Sequence, residues 1–291
     1  MQSAQKGVKW PTVTETASQG AIETFRRLHE SGCFVLPNPW DRGTAIYLHS
    51  LGYQALATSS AGFGFSCGVP DSIGAMPLER VLAHCQDIAT ATPLPVNADF
   101  QEGYAAEPEG VAENVARCVA TGVAGLSIED ATGSETPSLF ERELAIERIR
   151  AARAAIDSSG HPVVLTARCE AWLVGDAGPL QTALDRLVAY ADAGADCLYA
   201  PGVRAPNEIE EIVKAVHPKP VNVLVGSSAT GFTVPKLADL GVRRISVGSA
   251  LSRAAWGAVE RAARRILDDG MFDGLDGAAP FSELNEIFER T

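Results

Sequence analysis

The stretch Thr121-Gly122-Val123-Ala124-Gly125-Leu126-Ser127-Ile128-Glu129-Asp130 decides the fold. A helix-like run ends at a glycine, a short β-prone apolar run follows at once, and acids close it. Glycine accepts the left-handed backbone that ends a helix, so the chain can turn straight into a buried strand. The pattern recurs: Ser31-Gly32 precedes 33–37, Leu51-Gly52 precedes 55–60, Ala193-Gly194 precedes 196–201, and Leu240-Gly241 precedes 244–249. Three more strands begin after prolines, at Pro95-Val96, Pro162-Val-Val-Leu165 and Pro220-Val-Asn-Val-Leu224. Amphipathic helices lie between them. In one, Ile209, Ile212, Val213 and Val216 fall on one face, and Val111, Val115, Cys118 and Val119 repeat that spacing.

Strand–helix alternation requires a parallel sheet covered by helices. Eight such units in 291 residues, about 36 residues each, predict a (β/α)8 TIM barrel of the α/β class. A doubly wound sheet is the competitor, but its Gly-x-Gly-x-x-Gly after the first strand is missing, and the glycines at 62, 64 and 68 are wrongly spaced. The expected organisation is an N-terminal extension over 1–20, the barrel over 21–270, and a C-terminal helical tail over 271–291. The last barrel helix is expected over 250–267 and a short helix over 281–289.

Composition narrows the partners. Thirty-six acids against 24 bases give a formal charge of -12, which argues against nucleic acid, whose binding needs clustered Lys and Arg. No apolar run approaches the length of a membrane span of about 18 residues. The first sixteen residues read as neither a signal nor a transit peptide, so a cytoplasmic protein is expected. The six cysteines, at 33, 67, 85, 118, 169 and 197, match no zinc or disulfide framework and read as small buried hydrophobes.

Barrel active sites lie at the C-terminal strand ends. Those ends carry Trp40, Ser59, Ser60, Ala61, Asn97, Asp99, Glu129, Asp130, Arg168, Glu170 and Asn222. Asp99, Glu129 and Asp130 are expected to converge, and carboxylates so close need a cation or an arginine between them, which points to a hard divalent metal. A loop of roughly 18 residues after the second strand, far longer than usual, brings Asp71 to the same mouth. No histidine falls at a strand's C-terminal end, which argues against histidine catalysis and a His-ligated zinc. Gly226-Ser227 and Gly248-Ser249 stand where barrels often hold a phosphate, a weaker signal.

At these residues the chain resembles the isocitrate lyase and phosphoenolpyruvate mutase superfamily. The likeness runs from about Phe25 to Leu267 through Ala57-Thr-Ser-Ser-Ala61, Gly68-Val-Pro-Asp71, Asn97-Ala-Asp99 with Gly103-Tyr104, the segment from Val123 to Asp130, and Thr166-Ala-Arg168-Cys-Glu-Ala171. The resemblance implies a homo-oligomeric enzyme, a dimer or tetramer that exchanges its last barrel helix between subunits. It would break or make a C–C or C–P bond of a small anionic 2-oxo or 2-hydroxy carboxylate through an enolate. It implies magnesium, with manganese as the alternative, held by Asp71, Asp99 and Glu129. Arg168 would neutralise developing charge, Asp71 would share in catalysis, and Ser59, Ser60, Ala61, Trp40 and Asn222 would bind substrate, with backbone donors at Ser60 and Ala61.

Two departures qualify this. Asn97 stands where the family has the first of two aspartates, and it can ligate only through a neutral carbonyl. The loop after strand four reads Ala131-Thr-Gly-Ser-Glu-Thr-Pro-Ser138, without the lyases' Lys-Arg-Cys-Gly-His-like motif or the mutases' Lys and Asn. Cleavage of an oxaloacetate-like acid fits that loop best. Phosphonopyruvate chemistry and a silent keto-acid-binding barrel stand as the alternatives. With Gly133 as hinge, the loop is expected to act as a lid.

Overall fold

The computed structural model describes residues 15–136 and 138–290. The chain alternates through α1 (Glu15–Glu30), β1 (Phe34–Leu36), α2 (Arg42–Ser50), β2 (Leu56–Ala57), α3 (Ser60–Ser66), α4 (Leu78–Ala89), β3 (Val96–Asp99) and α5 (Pro108–Val119). It continues through β4 (Gly125–Glu129), α6 (Arg142–Ser158), β5 (Val164–Arg168), α7 (Pro179–Asp192), β6 (Cys197–Tyr199) and α8 (Pro206–Val216). The last elements are β7 (Val221–Leu224), α9 (Val234–Asp239), β8 (Arg244–Ser246), α10 (Ala250–Asp269) and α11 (Phe281–Glu289). All strand pairs are parallel, in the order β1-β8-β7-β6-β5-β4-β3-β2. At the remaining seam the Ala57 N–H donates to the Pro37 carbonyl at 3.0 Å, and the Asn38 amide donates to the Thr58 carbonyl at 2.8 Å. The result is a nearly closed (β/α)8 barrel.

The opening stretch folds as its spacing dictates. Gly122 takes φ +88° to end the turn after α5, and the chain enters β4 three residues later. Gly125 permits close packing inside the barrel: a Cβ there would lie 2.6 Å from the Phe25 ring and 2.8 Å from Asn97 Oδ1. Helix faces seal the outside, with Val111, Val115 and Cys118 of α5 and Ile209, Ile212 and Val216 of α8 buried.

Three expectations change. The long stretch after β2 is not all loop, because Ser60–Ser66 forms α3, capped by Ser59, whose Oγ accepts from the Gly62 N–H at 3.1 Å. Its glycines disfavour a helix, and the serine cap was the signal for one. The chain is paired at the base of the loop after β4, where the Thr132 N–H donates to the Ser138 carbonyl and the Phe140 N–H to the Asp130 carbonyl, each at 2.9 Å. Gly133 (φ +75°) sits against Ile73, so the glycine expected as a hinge is a packing contact in this structure. At the N-terminus, α1 begins inside the stretch read as an extension, while residues 1–14 lie outside those described.

The C-terminal elements form where the sequence puts them, but they pack little. Ser252 alone is buried along α10, and Leu251, Trp256, Val259, Ile266 and Leu267 are exposed. Helix α11 returns to α2, where Phe288 approaches Gly43.

Candidate active site

Side chains alternate along a strand, and alternation assembles the mouth. Asn97 and Asp99 of β3, Glu129 of β4 and Arg168 of β5 all face inward at the C-terminal end. A single guanidinium ties the acids together. Arg168 Nη1 lies 2.6 Å from Asp99 Oδ1, and Nη2 lies 3.1 Å from Glu129 Oε2 and 2.9 Å from Glu170 Oε1. The other Asp99 oxygen accepts from the Ser60 N–H at 2.9 Å. Asp71 stands on the rim, where it lines the same pocket as Ser60.

One arginine cannot neutralise four carboxylates, and the acids show it. Burial first, then the charges of Glu170 and Asp99, push the Glu129 carboxyl well above its usual range in spite of Arg168. Glu170 is raised by burial and by Asp130. Even Asp71, with water on one side, is raised by its partial enclosure and by Asp99. Arg168 is driven further toward its charged form by Glu170, Glu129 and Asp99, against the effect of burial. Its guanidinium also lies 5.1 Å from the centre of the Tyr199 ring.

Below this cluster lies a cavity of about 170 Å³, lined by Ser59, Ser60, Ala61, Asp71, Asn97, Asp99, Arg168, Asn222 and, deeper, Ser246 and Arg244. Open at the mouth, a pocket of that volume is on the scale of a small organic acid.

Several expected roles shift. Asp130 does not join the mouth. It points to the strand–helix seam, 3% exposed, and accepts from Arg186 Nη1 (3.1 Å), the Tyr190 hydroxyl (2.7 Å) and the Glu170 N–H (2.8 Å). Its alternation relative to Glu129 requires this. The Ser60 N–H, expected to bind substrate, is taken by Asp99, and that of Gly62 by Ser59. That leaves Ala61 as the donor in the first turn of α3. Trp40 is not among the described residues lining the cavity; its backbone N–H donates to Thr44 at the start of α2. The phosphate-like turn after β8 is also used internally, since Val247 and Gly248 N–H both donate to Asn38 Oδ1, at 3.0 and 2.8 Å. Glu170 was placed at the mouth without a role, and Tyr199, Ser246 and Arg244 were not singled out from the sequence. For Arg244 the signal was available: an arginine at an inward position of a buried strand.

A divalent cation suits this donor set in charge and hardness: the carboxylates outnumber their guanidinium and resist ionising together. As arranged, Arg168 holds the central position, and among the described residues no three acidic, His or Cys side chains converge on one point. Asn97 does not turn its carbonyl toward the acids. Its Oδ1 faces Arg244 Nη1 at 3.5 Å, and its amide donates to Ala98 O at 3.1 Å. Asn97, expected as a metal ligand, thus presents its oxygen to the Arg244 guanidinium rather than to the acids in this arrangement.

An eight-stranded parallel barrel with an acid-rich, arginine-bridged pocket at the C-terminal strand ends defines the class. Residues 25–267 match the family model for phosphoenolpyruvate phosphomutase. The chain belongs to that family, within the isocitrate lyase and phosphoenolpyruvate mutase superfamily. A crystal structure from Burkholderia cenocepacia J2315, provisionally assigned as a lyase/mutase, is 43% identical with a TM-score of 0.90, covering 94% of this chain and 97% of that one. An oxaloacetate decarboxylase of Rhodopseudomonas palustris is 34% identical, covering 76% of this chain and 75% of its own. A phosphonopyruvate hydrolase crystallised with oxalate and magnesium is 27% identical, with a TM-score of 0.81, covering 93% and 95%.

Proposed function

We propose that the protein is a magnesium-dependent enzyme that cleaves a C–C bond of a small 2-oxo or 2-hydroxy carboxylate of the oxaloacetate type. The observation that carries this reading is the excess of carboxylates around one arginine over a pocket of organic-acid size, with Asp71, Glu129 and Glu170 raised above their usual range. A bound divalent cation supplies the positive charge that draws electrons toward a substrate carbonyl. Asp71, Asp99 and Glu129 would hold it. In an oxaloacetate-type acid the bond that breaks joins the carbon next to the carbonyl to the far carboxyl; that carboxyl leaves as carbon dioxide, and the electron pair passes through the carbon to the carbonyl oxygen, giving the enolate. Arg168, fixed by three carboxylates, then sets a stationary positive charge beside it. Asp71, on a separate loop and open to solvent, is the ligand beside which a solvent water could be positioned to return a proton to carbon. Ser59, Ala61 and Asn222 shape the rest of the pocket.

Calorimetry with magnesium and oxalate, an enolate mimic, tests the site. Binding is expected only with the metal (manganese substituting), Asp99→Ala should abolish metal binding, and absence of oxalate binding would sink the reading. Loss of oxaloacetate should then follow on incubation. Phosphonopyruvate turnover in its place would favour C–P chemistry, which the family model's description supports. Turnover of neither, with binding intact, would favour a silent barrel. We place the enzyme in the cytoplasm, a reducing setting that suits six free thiols; no helix among the described residues is long and apolar enough to cross a membrane.

We further infer a dimer or tetramer in which a second copy covers α10. Its exposed row of Leu251, Trp256, Val259, Ile266 and Leu267 supports this. Sedimentation should give an oligomer, and a monomer at micromolar concentration would refute it.

A further inference from the structure

Arg244 is the second arginine inside the barrel, and its surroundings reverse those of Arg168. It begins β8 and runs inward beneath the mouth, 2% exposed. Its Nε donates to Asn222 Oδ1 at 2.9 Å and its Nη2 to Thr166 Oγ1 at 3.1 Å. Nη1 faces His29 Nε2 at 3.3 Å and Asn97 Oδ1 at 3.5 Å.

Every one of these partners is uncharged. His29 is neutral because burial and then the nearby Arg244 lower its pKa to about 3. Its Nδ1 donates to the Phe25 carbonyl at 2.7 Å, so Nε2 offers Arg244 a lone pair. Among the described residues, Arg244 forms no ion pair with a carboxylate.

A buried charge without a counter-charge is costly, and barrel interiors are normally layered with Val, Ile and Leu. Here the layer is Asn97, Thr166, Asn222 and Arg244, and three of these line the floor of the cavity whose mouth holds Asp99 and Arg168. A guanidinium has five N–H donors. The four contacts above use four, leaving one N–H of Nη2 for an acceptor.

We propose that Arg244 binds a second carboxylate of the substrate at the cavity floor, so that the site selects small dicarboxylates over monocarboxylates. This rests on the small-carboxylate reading above and specifies it. Arg168 is already shared among three carboxylates, whereas Arg244 has none. The anionic end of a short acid therefore finds its unmatched positive charge at the floor, while the reacting end stays under Asp99, Ser60 and Asp71. The Asn222 amide, which donates to Ser246 Oγ at 3.0 Å, holds that wall in place.

The test compares two acids that differ only at the far end, L-malate and L-2-hydroxybutyrate, by calorimetry on the full chain with saturating magnesium, each acid being checked for turnover under the same conditions. The wild type should bind malate about tenfold or more tightly, the scale of a charge-assisted hydrogen bond to a carboxylate. Arg244→Met should keep its affinity for 2-hydroxybutyrate and lose the preference. Equal binding of the two acids by the wild type, or an unchanged preference in Arg244→Met, overturns the proposal. If Arg244→Met does not fold, Arg244→Lys decides: a narrowed preference supports the role of the guanidinium fork, and an unchanged one overturns it. Failure of both acids to bind brings down the carboxylate reading and this inference together. Binding of 2-hydroxybutyrate without a malate preference brings down this inference alone.

Discussion

Glu129 and Asp130 are sequence neighbours with the same charge, and the barrel sends them to opposite kinds of place. Glu129 faces the mouth, where it, Asp99 and Glu170 share Arg168, and its carboxyl is held well above the usual range. Asp130 faces the seam between strand and helix, where its oxygens take the Arg186 guanidinium, the Tyr190 hydroxyl and the Glu170 N–H. One acid is matched and the other crowded. A matched buried acid holds the fold together, whereas a crowded one is poised to receive a cation.

Exchanging the two roles should fail in a measurable way. Asp130→Ala leaves Arg186 and Tyr190 buried without their acceptor, and breaking such a pair costs about 3 kcal/mol or more. Thermal melting should show a large fall in stability, with magnesium affinity retained in whatever remains folded. Glu129→Gln should do the reverse. Arg168 keeps Asp99 and Glu170, so stability should move by less than about 1 kcal/mol, while magnesium affinity drops about tenfold or more. If Glu129→Gln melts as early as Asp130→Ala, the division between structural and functional acid is wrong.

The division was half legible in the sequence. Glycine-to-strand punctuation located five of the eight strands and prolines the other three, and the short helix at 281–289 forms on those residues. Alternation along β4 already put Glu129 and Asp130 on opposite faces; only the assumption that neighbouring acids act together hid it. Other features need coordinates. That Arg168 bridges three acids depends on the barrel's closure, which brings β3, β4 and β5 side by side. The short helix α3 was obscured by glycines that its buried setting tolerates. Helix α10 is amphipathic in sequence, yet no local signal says that its apolar face finds no partner within the described chain. The likeness to a known family named Asp71, Asp99, Glu129 and Arg168 as a group, but it did not draw attention to Arg244, which departs from the apolar pattern of an ordinary barrel interior.

A smaller effect separates crowding from mere burial. Asp71, Glu129 and Glu170 are all raised in the folded protein. A carboxyl with a folded pKa above its unfolded value binds its proton more tightly when folded. Its contribution to stability is therefore complete below the unfolded pKa and is lost as pH rises through the folded one. Without metal, these three groups should make the protein melt higher at about pH 5 than at about pH 8. Magnesium binds their charged forms, so the gain in melting temperature on adding it should be larger at the higher pH and shrink as acid competes. The readout is the difference between melting curves with and without magnesium at each pH, which cancels titrations elsewhere in the chain. Glu129→Gln should flatten that difference and Asp130→Asn should leave it in place, because only Glu129 belongs to the crowded set. A magnesium shift independent of pH would mean that the cation binds elsewhere, and that the raised carboxyls at the mouth reflect burial alone.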